Sequence, residues 1–183
     1  MSTPKPPQPA KLVIGCLIRK KPLLAAVIRD LTEEFGPVDA ISSWLTFDFT
    51  SYYEPEMGRP LVRRLMAFRT LIDQRRLPDI KLATNGMEAD YSEASRRRIN
   101  LDPGYLLPER FVLATGKNYT HRIYIDKGIY ADLTLIFTRG AFQTLPWTYP
   151  DYAQAELQQF LYQVRRKYLL DLREAAEAST PAE

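Results

Sequence analysis

The stretch KLVIGCLI at residues 11–18, followed by PLLAAVIRDLTEEF at residues 22–35, decides the fold of this 183-residue chain. The first segment is an uninterrupted apolar run rich in β-branched residues, which predicts a buried strand. In the second segment apolar residues recur at helical spacing, Pro22 suits a first helical turn, and a Gly-Pro pair follows Phe35 as a stop signal. The folded part of the chain therefore begins with a strand and an amphipathic helix.

The next elements follow in an order that indicates an α+β fold. Residues 38–49 and 97–101 predict strands, and residues 73–91 predict a second helix. Residues 58–72 fit both a helix face and a strand face, so periodicity alone does not decide between them. Taken as a strand, this segment completes the order strand, helix, strand, strand, helix, strand, which is the ferredoxin-like pattern. We therefore predict a ferredoxin-like mixed sheet.

The C-terminal part of the chain predicts an extension of this core. Asp102-Pro103-Gly104 is a strong turn signal. Residues 122–145 are the clearest β region, because alternating apolar residues are flanked there by glycine-containing turns, and we expect a C-terminal β-meander. A long helix with an apolar stripe is predicted from Asp151, as its N-cap, and should pack on the sheet.

One α+β domain is expected over residues 11–173. Residues 1–10 carry prolines and no apolar run, which predicts a disordered tail, and residues 174–183 predict a frayed end. The formal net charge of +3 is too small to indicate nucleic-acid binding by itself. Cys16 is the single cysteine, lies in an apolar run and cannot form an internal disulfide. Since no secretion signal or membrane-length apolar segment is visible, we expect a cytoplasmic protein with no membrane partner.

Four segments are dense in polar and aromatic side chains, and each falls at a predicted strand end or connection, where sites commonly lie. They contain the strings FDFTSYY at 47–53 with EMG at 56–58, NLDPGY at 100–105, YTHRIY at 119–124 and WTYPDY at 147–152, and the string GIYA follows the third segment at 128–131. Through these strings the chain resembles the bacterial family called domain of unknown function 4416, over residues 11–172.

The resemblance implies no established activity, although members of that family are often labelled GTP-binding proteins. Binding of GTP by a P-loop needs the motif G-x-x-x-x-G-K-[ST]. The only Gly-Lys pair is Gly116-Lys117, and Phe111 stands where the first glycine should be. Asn118 stands where a serine or threonine should bind Mg²⁺. The sequence therefore predicts no P-loop.

Candidate site residues come from the polar and aromatic segments. His121 could transfer protons near neutral pH, Arg122 could hold a carboxylate or phosphate, and an acid could orient His121. Because adjacent residues of a strand point to opposite faces, this pair can cooperate only if His121 precedes the strand. The alternative is that these residues serve separate turns and surfaces. We predict one cleft with catalytic Asp48, Asp102 and His121, ligand-binding Tyr53, Tyr105, Lys117 and Arg122, and no metal site.

The mixture of acids, bases and aromatic side chains favours a phosphorylated or carboxylated small molecule, or a nucleotide, as the ligand. The sequence leaves open whether the protein is an enzyme, whether it needs a cofactor, and its oligomeric state. An RNA-binding module is one alternative, because ferredoxin-like sheets can present aromatic side chains to bases. A non-catalytic interaction scaffold is the other. A concave pocket would favour the first hypothesis, a basic stripe the second, and a flat apolar patch the third.

Overall fold

The computed structural model describes residues 1–94 and 96–178, in which it has nine strands and four helices. The strands are β1 (Ala10–Ile18), β2 (Val38–Ile41), β3 (Leu45–Phe47), β4 (Leu61–Ile72), β5 (Ile99–Leu107), β6 (Arg110–Thr115), β7 (Arg122–Asp126), β8 (Ile129–Thr138) and β9 (Ala141–Thr144). The helices are α1 (Leu24–Phe35), α2 (Glu54–Met57), α3 (Leu77–Asp90) and α4 (Ala155–Ala178). Short 3₁₀ turns at Lys21–Leu23 and Gln74–Arg76 lead into α1 and α3.

All nine strands belong to one sheet, with the order β2-β4-β1-β5-β6-β8-β7, while β3 pairs with β4 and β9 pairs with β8. Every pairing between these strands is antiparallel. The first four strands in this order, connected through α1 and α3, form a ferredoxin-like unit, and β6 to β9 extend it. The predicted α+β class is therefore confirmed, and the sheet is antiparallel throughout rather than mixed.

β4 settles the ambiguity at residues 58–72 in favour of a strand, because it has partners on both sides. β1 pairs with one side of β4. On the other side, β2 pairs with residues 66–68 of β4 and β3 pairs with residues 61–63. The strand predicted at residues 38–49 is interrupted between β2 and β3. There the Ser42 N–H donates to Leu65 O at 2.9 Å, and the Ser42 hydroxyl accepts from the Leu65 N–H at 3.0 Å. These two bonds keep the interrupted chain attached to the edge of β4.

The Asp102-Pro103-Gly104 segment lies inside β5, so the prediction of a turn there was wrong. The ladder with β1 continues through the segment and places Asp102 opposite Gly15. Pairing with β6, in contrast, begins only at Gly104, opposite Leu113. Pro103 has no N–H to donate, and the strand tolerates it because β5 has no partner on the β6 side at that position. The proline and glycine thus mark the end of a ladder.

β5 and β6 separate beyond this point. Residues 99–103 of β5 pair only with β1, whereas residues 114–115 of β6 pair only with β8. We call the gap between residues 99–103 and 114–117 the sheet split. Neither β6 nor the short helix α2 was predicted from the sequence, and without β6 the split could not be foreseen.

Helices pack on both faces of the sheet. Alternate residues of β1 point to opposite faces: Ile14 packs with α1 and α3, represented by Leu31 and Ile80, and Val13 packs with α4, represented by Leu161. The predicted packing of a C-terminal helix on the sheet is therefore confirmed.

The bounds of α4 differ from those predicted. The helix begins at Ala155 rather than at Asp151, so Asp151 is not its N-cap. It continues to Ala178, past the expected end of the domain at residue 173, and residues 179–183 of the predicted frayed tail lie outside the described residues. In the part of the chain described, no helix has an apolar stretch long enough to cross a membrane.

Gly104→Ala should destabilise the protein, because a Cβ at this position would lie 2.4 Å from the carbonyl oxygen of Val112 on β6. β6 would have to move away from β5 at the last rung of their ladder, and overpacking of this kind costs about 1–3 kcal/mol. Gly86→Ala is the control: nothing lies within 4 Å of a Cβ there, and alanine stabilises a helix interior by about 0.5–1 kcal/mol. Chemical denaturation should give changes in the free energy of unfolding of opposite sign. A Gly104→Ala protein as stable as the wild type would contradict the close contact.

Candidate functional site

A cavity of about 650 Å³ fills the sheet split, and this volume lies within the usual range of small-molecule sites. α3 lines it from one face of the sheet, and the segment 149–152, between β9 and α4, lines it from the other. The chain after β3 forms a further wall. The charged lining residues are Arg63, Lys81, Glu88, Arg97, Asp102, Lys117, Asp132 and Asp151, and the aromatic ones are Phe47, Phe49, Tyr52, Tyr53, Tyr149 and Tyr152.

Arg63, on β4, is a buried cation that two carboxylates hold. Its Nη2 donates to Asp102 Oδ2 at 3.0 Å, and its Nη1 lies 3.0 Å from Asp151 Oδ2. Nη1 also donates to the Tyr152 hydroxyl at 3.2 Å, and the guanidinium lies 5.1 Å from the centre of the Phe47 ring. Only 5 % of the Arg63 side chain is exposed, against 25 % for Asp102 and 6 % for Asp151. Because a buried charge requires such partners, Arg63 joins β4, β5 and the segment before α4.

Burial and neighbouring charges shift the pKa values of Arg63 and of the acidic side chains around it. Burial raises the pKa of the Asp151 carboxyl above its ordinary value; Arg63 opposes the rise, and the charge of Asp102 adds to it. Burial by itself would lower the pKa of Arg63, but the charges of Asp151 and its neighbours raise it above its ordinary value. Burial also raises the pKa of Tyr53 and of Tyr152. The wall therefore combines a permanent cation, a carboxyl that holds its proton more readily, and protonated phenols.

Glu88 organises the side of the cavity that α3 forms. It accepts hydrogen bonds from the Leu101 N–H at 2.7 Å and from Arg97 Nη1 at 3.1 Å, and Lys81 Nζ lies 3.9 Å away. Arg97 also donates two side-chain bonds to Glu56, at 2.8 and 2.7 Å. Burial raises the pKa of Glu88 even though these partners oppose the rise. Each charge on this side has an opposite charge beside it, so none is left for a ligand.

Asp132, on β8, lines the cavity. His121 and Arg122 contact its carboxylate but do not line the cavity themselves. Its Oδ2 lies 3.3 Å from His121 Nε2 and accepts a hydrogen bond from Arg122 Nε at 2.9 Å. Arg122 also donates to the hydroxyl of Tyr149, another lining residue. The His121 ring stacks on Trp147, with ring centres 4.9 Å apart. His121 precedes β7, which starts at Arg122, and the two neighbours therefore meet at one carboxylate.

Lys117 lies at the exposed mouth of the cavity, in the loop after β6. Its Nζ donates to the Tyr52 hydroxyl at 2.9 Å and lies 4.2 Å from the centre of that ring. This hydrogen bond and the charge of Lys117 lower the pKa of Tyr52. Across residues 1–94 and 96–178 no carboxylate pairs with Lys117, whereas Arg63, Lys81 and Arg97 each have one within 4 Å. The charge of Lys117 is thus available to a ligand.

The structure brings five of the seven predicted site residues around this cavity. Tyr53, Asp102 and Lys117 line it. His121 and Arg122 lie one layer behind, in contact with Asp132. These residues come from three separate segments of the chain, and the segments meet around the sheet split.

Asp48 and Tyr105 do not line the cavity. Asp48 is exposed in the chain after β3, and its neighbours Phe47 and Phe49 line the cavity instead, since alternate side chains of an extended segment point in opposite directions. Tyr105 lies three residues after Asp102 on β5, which places the two side chains on opposite faces of the sheet. Tyr105 packs instead against the cores beneath α1 and α3.

Several lining residues were missed from the sequence, above all Arg63, Asp132 and Asp151. Arg63 has Leu61 and Leu65 as its neighbours on one face of β4, and an arginine inside such an apolar alternation is a signal that could have found it. No such signal marks Asp132. In β8 the apolar residues alternate with Asp132 and its like-facing neighbours, so the sequence pattern predicts that the face carrying Asp132 is the less buried one. Asp151 was mistaken for a helix cap.

In chemical terms the cavity offers a charged donor at its mouth, carboxylate acceptors inside and aromatic surfaces between them. No three His, Cys, Asp or Glu side chains in the described part of the chain are arranged to hold a metal ion. Cys16 is fully buried and does not line the cavity, and burial raises the pKa of its thiol to about 12. The polar lining groups can donate and accept hydrogen bonds.

The raised pKa of Asp151 predicts a pH-dependent difference in stability. A carboxyl with a higher pKa in the folded than in the unfolded state binds more protons when folded, so stability falls as pH rises from 3.8 through the folded-state value. Asp151→Asn removes this titration. The wild type should therefore lose stability relative to the variant over that interval, by about 1.4 kcal/mol for each pH unit between the two pKa values.

Denaturation curves at a series of pH values measure this difference. Asp73→Asn is the control of opposite sign, because hydrogen bonds from Arg75 lower the pKa of Asp73. The stabilising contribution of Asp73 is lost as pH falls below 3.8. A difference between wild type and Asp151→Asn that stays constant with pH, or that grows in favour of the wild type as pH rises, would contradict the assignment.

Comparison with known proteins identifies a family and nothing finer. The family model described as Domain of unknown function (DUF4416) matches residues 8–168, which include every strand and the whole cavity lining. No curated protein and no solved structure matches the chain. The family match confirms the resemblance drawn from the polar and aromatic strings. The chain therefore belongs to the DUF4416 family.

Proposed function

We propose that the protein binds a phosphorylated or carboxylated small molecule, or a nucleotide, in the cavity of the sheet split. The observation that carries the proposal is Lys117, a cation at the cavity mouth with no carboxylate partner among the described residues. An anionic group of the ligand would supply that partner, and charge-assisted hydrogen bonds are roughly twice as strong as neutral ones. The concave, mixed-polarity lining also supports a small-molecule ligand.

Aromatic side chains beside Lys117 support a ligand that also has a flat part. Phe49, Tyr52 and Tyr53 line the cavity, and the Tyr52 and Tyr53 rings meet edge to face with centres 5.0 Å apart. Aromatic rings of this kind can stack on bases. A nucleotide would use both the charge of Lys117 and these rings, which is why it stays among the proposed ligands.

Asp102 is the one predicted catalytic residue that lines the cavity. It accepts hydrogen bonds from Arg63 Nη2 at 3.0 Å and from Asn100 Nδ2 at 2.9 Å, and a quarter of its side chain is exposed. His121 contacts the site only through Asp132. Of the predicted catalytic residues, Asp102 is therefore the one we assign to direct contact with the ligand, and His121 acts on the site only through Asp132. The binding proposal stands without catalysis.

The RNA-binding alternative receives less support. An RNA-binding sheet of the ferredoxin-like kind presents aromatic side chains on an open face, but α4 covers one face of this sheet through Leu157 and Leu161. The basic run at residues 96–98 also contributes less than its charge suggests. Its middle member, Arg97, is paired with Glu56 and Glu88.

A thermal-shift screen with sugar phosphates, nucleotides and small carboxylates, followed by calorimetric titration, tests the proposal. For the ligand that binds most tightly, Lys117→Met should weaken binding about 10- to 100-fold, because it removes a hydrogen bond between charged groups. Lys127→Met is the matched control. It makes the same substitution at an exposed lysine between β7 and β8, whose partner is Asp79 and which does not line the cavity.

Lys127→Met should leave the affinity unchanged. The proposal is wrong if no compound of these classes binds. It is also wrong if the Lys117→Met and Lys127→Met proteins bind the ligand equally well, because the anionic group would then lie elsewhere.

A further inference from the structure

The inner end of the cavity, formed by Arg63, Asp102, Asp151 and Tyr152, contains two buried polar atoms without a hydrogen-bond partner. One is Asp151 Oδ2, an acceptor, and the other is Arg63 Nε, a donor. Arg63 Nη1 lies 3.0 Å from Asp151 Oδ2, which gives charge attraction without a well-directed hydrogen bond. Unpaired buried polar groups are unfavourable, and because both atoms are closed off from the empty cavity, a ligand supplies the missing partners once the Arg63 or Asp151 side chain turns towards it.

A hydroxyl group matches these two atoms better than the other common polar groups. A hydroxyl both donates and accepts, whereas an ammonium group only donates and a phosphate or carboxylate oxygen only accepts. Asp102 adds acceptor capacity, because its two oxygens take one bond each, from Arg63 and from Asn100. Neighbouring hydroxyls on one ligand can therefore serve Asp102, Asp151 and Arg63 together.

The charges of the two ends fix the direction of the ligand. Asp102 and Asp151 face a single cation, Arg63, at the inner end, which leaves one carboxylate in excess. A phosphate placed there would meet repulsion. Lys117 provides a cation without a carboxylate at the mouth. An anionic group therefore belongs at the mouth, and an uncharged hydroxyl-bearing part belongs inside.

We propose that the ligand is a sugar phosphate, either free or as part of a nucleotide. Its sugar hydroxyls bind Asp102, Asp151 and Arg63, and its phosphate binds Lys117. This inference rests on the proposed function and names the ligand class that the proposed function leaves open.

Calorimetric titration of the wild-type protein with matched ligands tests the inference. The probes are glucose 6-phosphate, ribose 5-phosphate and the ribonucleoside 5′-monophosphates, each with its singly deoxygenated analogues. Glucosamine 6-phosphate and inorganic phosphate serve as references. For the parent compound that binds, loss of the hydroxyl that pairs with Asp151 should weaken binding about 10- to 100-fold. Whether a free sugar phosphate or a nucleotide binds more tightly identifies the source of the sugar.

Asp151→Asn provides a second measurement. It should weaken binding of the parent compound about 10-fold or more. It should not change binding of the analogue that lacks the hydroxyl paired with Asp151, because in that complex the contact with Asp151 is already missing. Asp73→Asn makes the same substitution outside the cavity and should change neither affinity. If Asp151→Asn does not fold, the wild-type titrations decide alone.

The remaining outcomes separate this inference from the proposed function. Equal binding of the parent and all its deoxygenated analogues, or tighter binding of glucosamine 6-phosphate than of glucose 6-phosphate, would overturn the sugar hydroxyl assignment only. Binding of carboxylates without any sugar phosphate would do the same. Failure of every phosphorylated and carboxylated compound to bind would overturn both proposals.

Discussion

Pro103 has no N–H to donate, and the ladder between β5 and β6 begins only one residue later, at Gly104. Beyond that rung each strand keeps one neighbour, β1 for β5 and β8 for β6, so the two strands diverge inside an otherwise continuous sheet. The gap is open to α3 on one face and to the segment 149–152 on the other. The cavity, its lining and its access to both layers of the fold all follow from this divergence.

Arg63 links the divergence to the rest of the structure. It stands on β4, where Leu61 and Leu65 are buried on the same face, and its charge must be neutralised without water. The two carboxylates that do this come from elements far apart in the chain, Asp102 on β5 and Asp151 before α4. Packing of α4 on the sheet and charge pairing in the cavity therefore depend on each other.

The elements with local signals could be predicted from the sequence. The apolar run at residues 11–18 and the helical spacing at residues 22–35 needed no knowledge of their neighbours. Asp102-Pro103-Gly104 could not be assigned in this way, because its composition suits both a turn and the end of a ladder, and only the position of β6 separates the two. The same holds for Tyr105, whose face depends on β5 running unbroken through the proline. Asp102 was included because it follows the strand predicted at residues 97–101, although that strand continues through it, whereas Arg63 depends on partners that the sequence does not place.

The composition of the cavity is difficult to explain by stability. A buried ion pair can often be replaced by apolar residues of similar volume with no loss of stability or with a gain, because the cost of removing charges from water offsets their attraction. The charged residues instead leave Asp151 Oδ2 and Arg63 Nε unpaired beside the sheet split. Departures from local folding rules are expected to cluster at functional sites. The misassigned turn, the arginine on an apolar strand face and the unpaired atoms all occur around one cavity, and the proposed ligand binding would account for all three together.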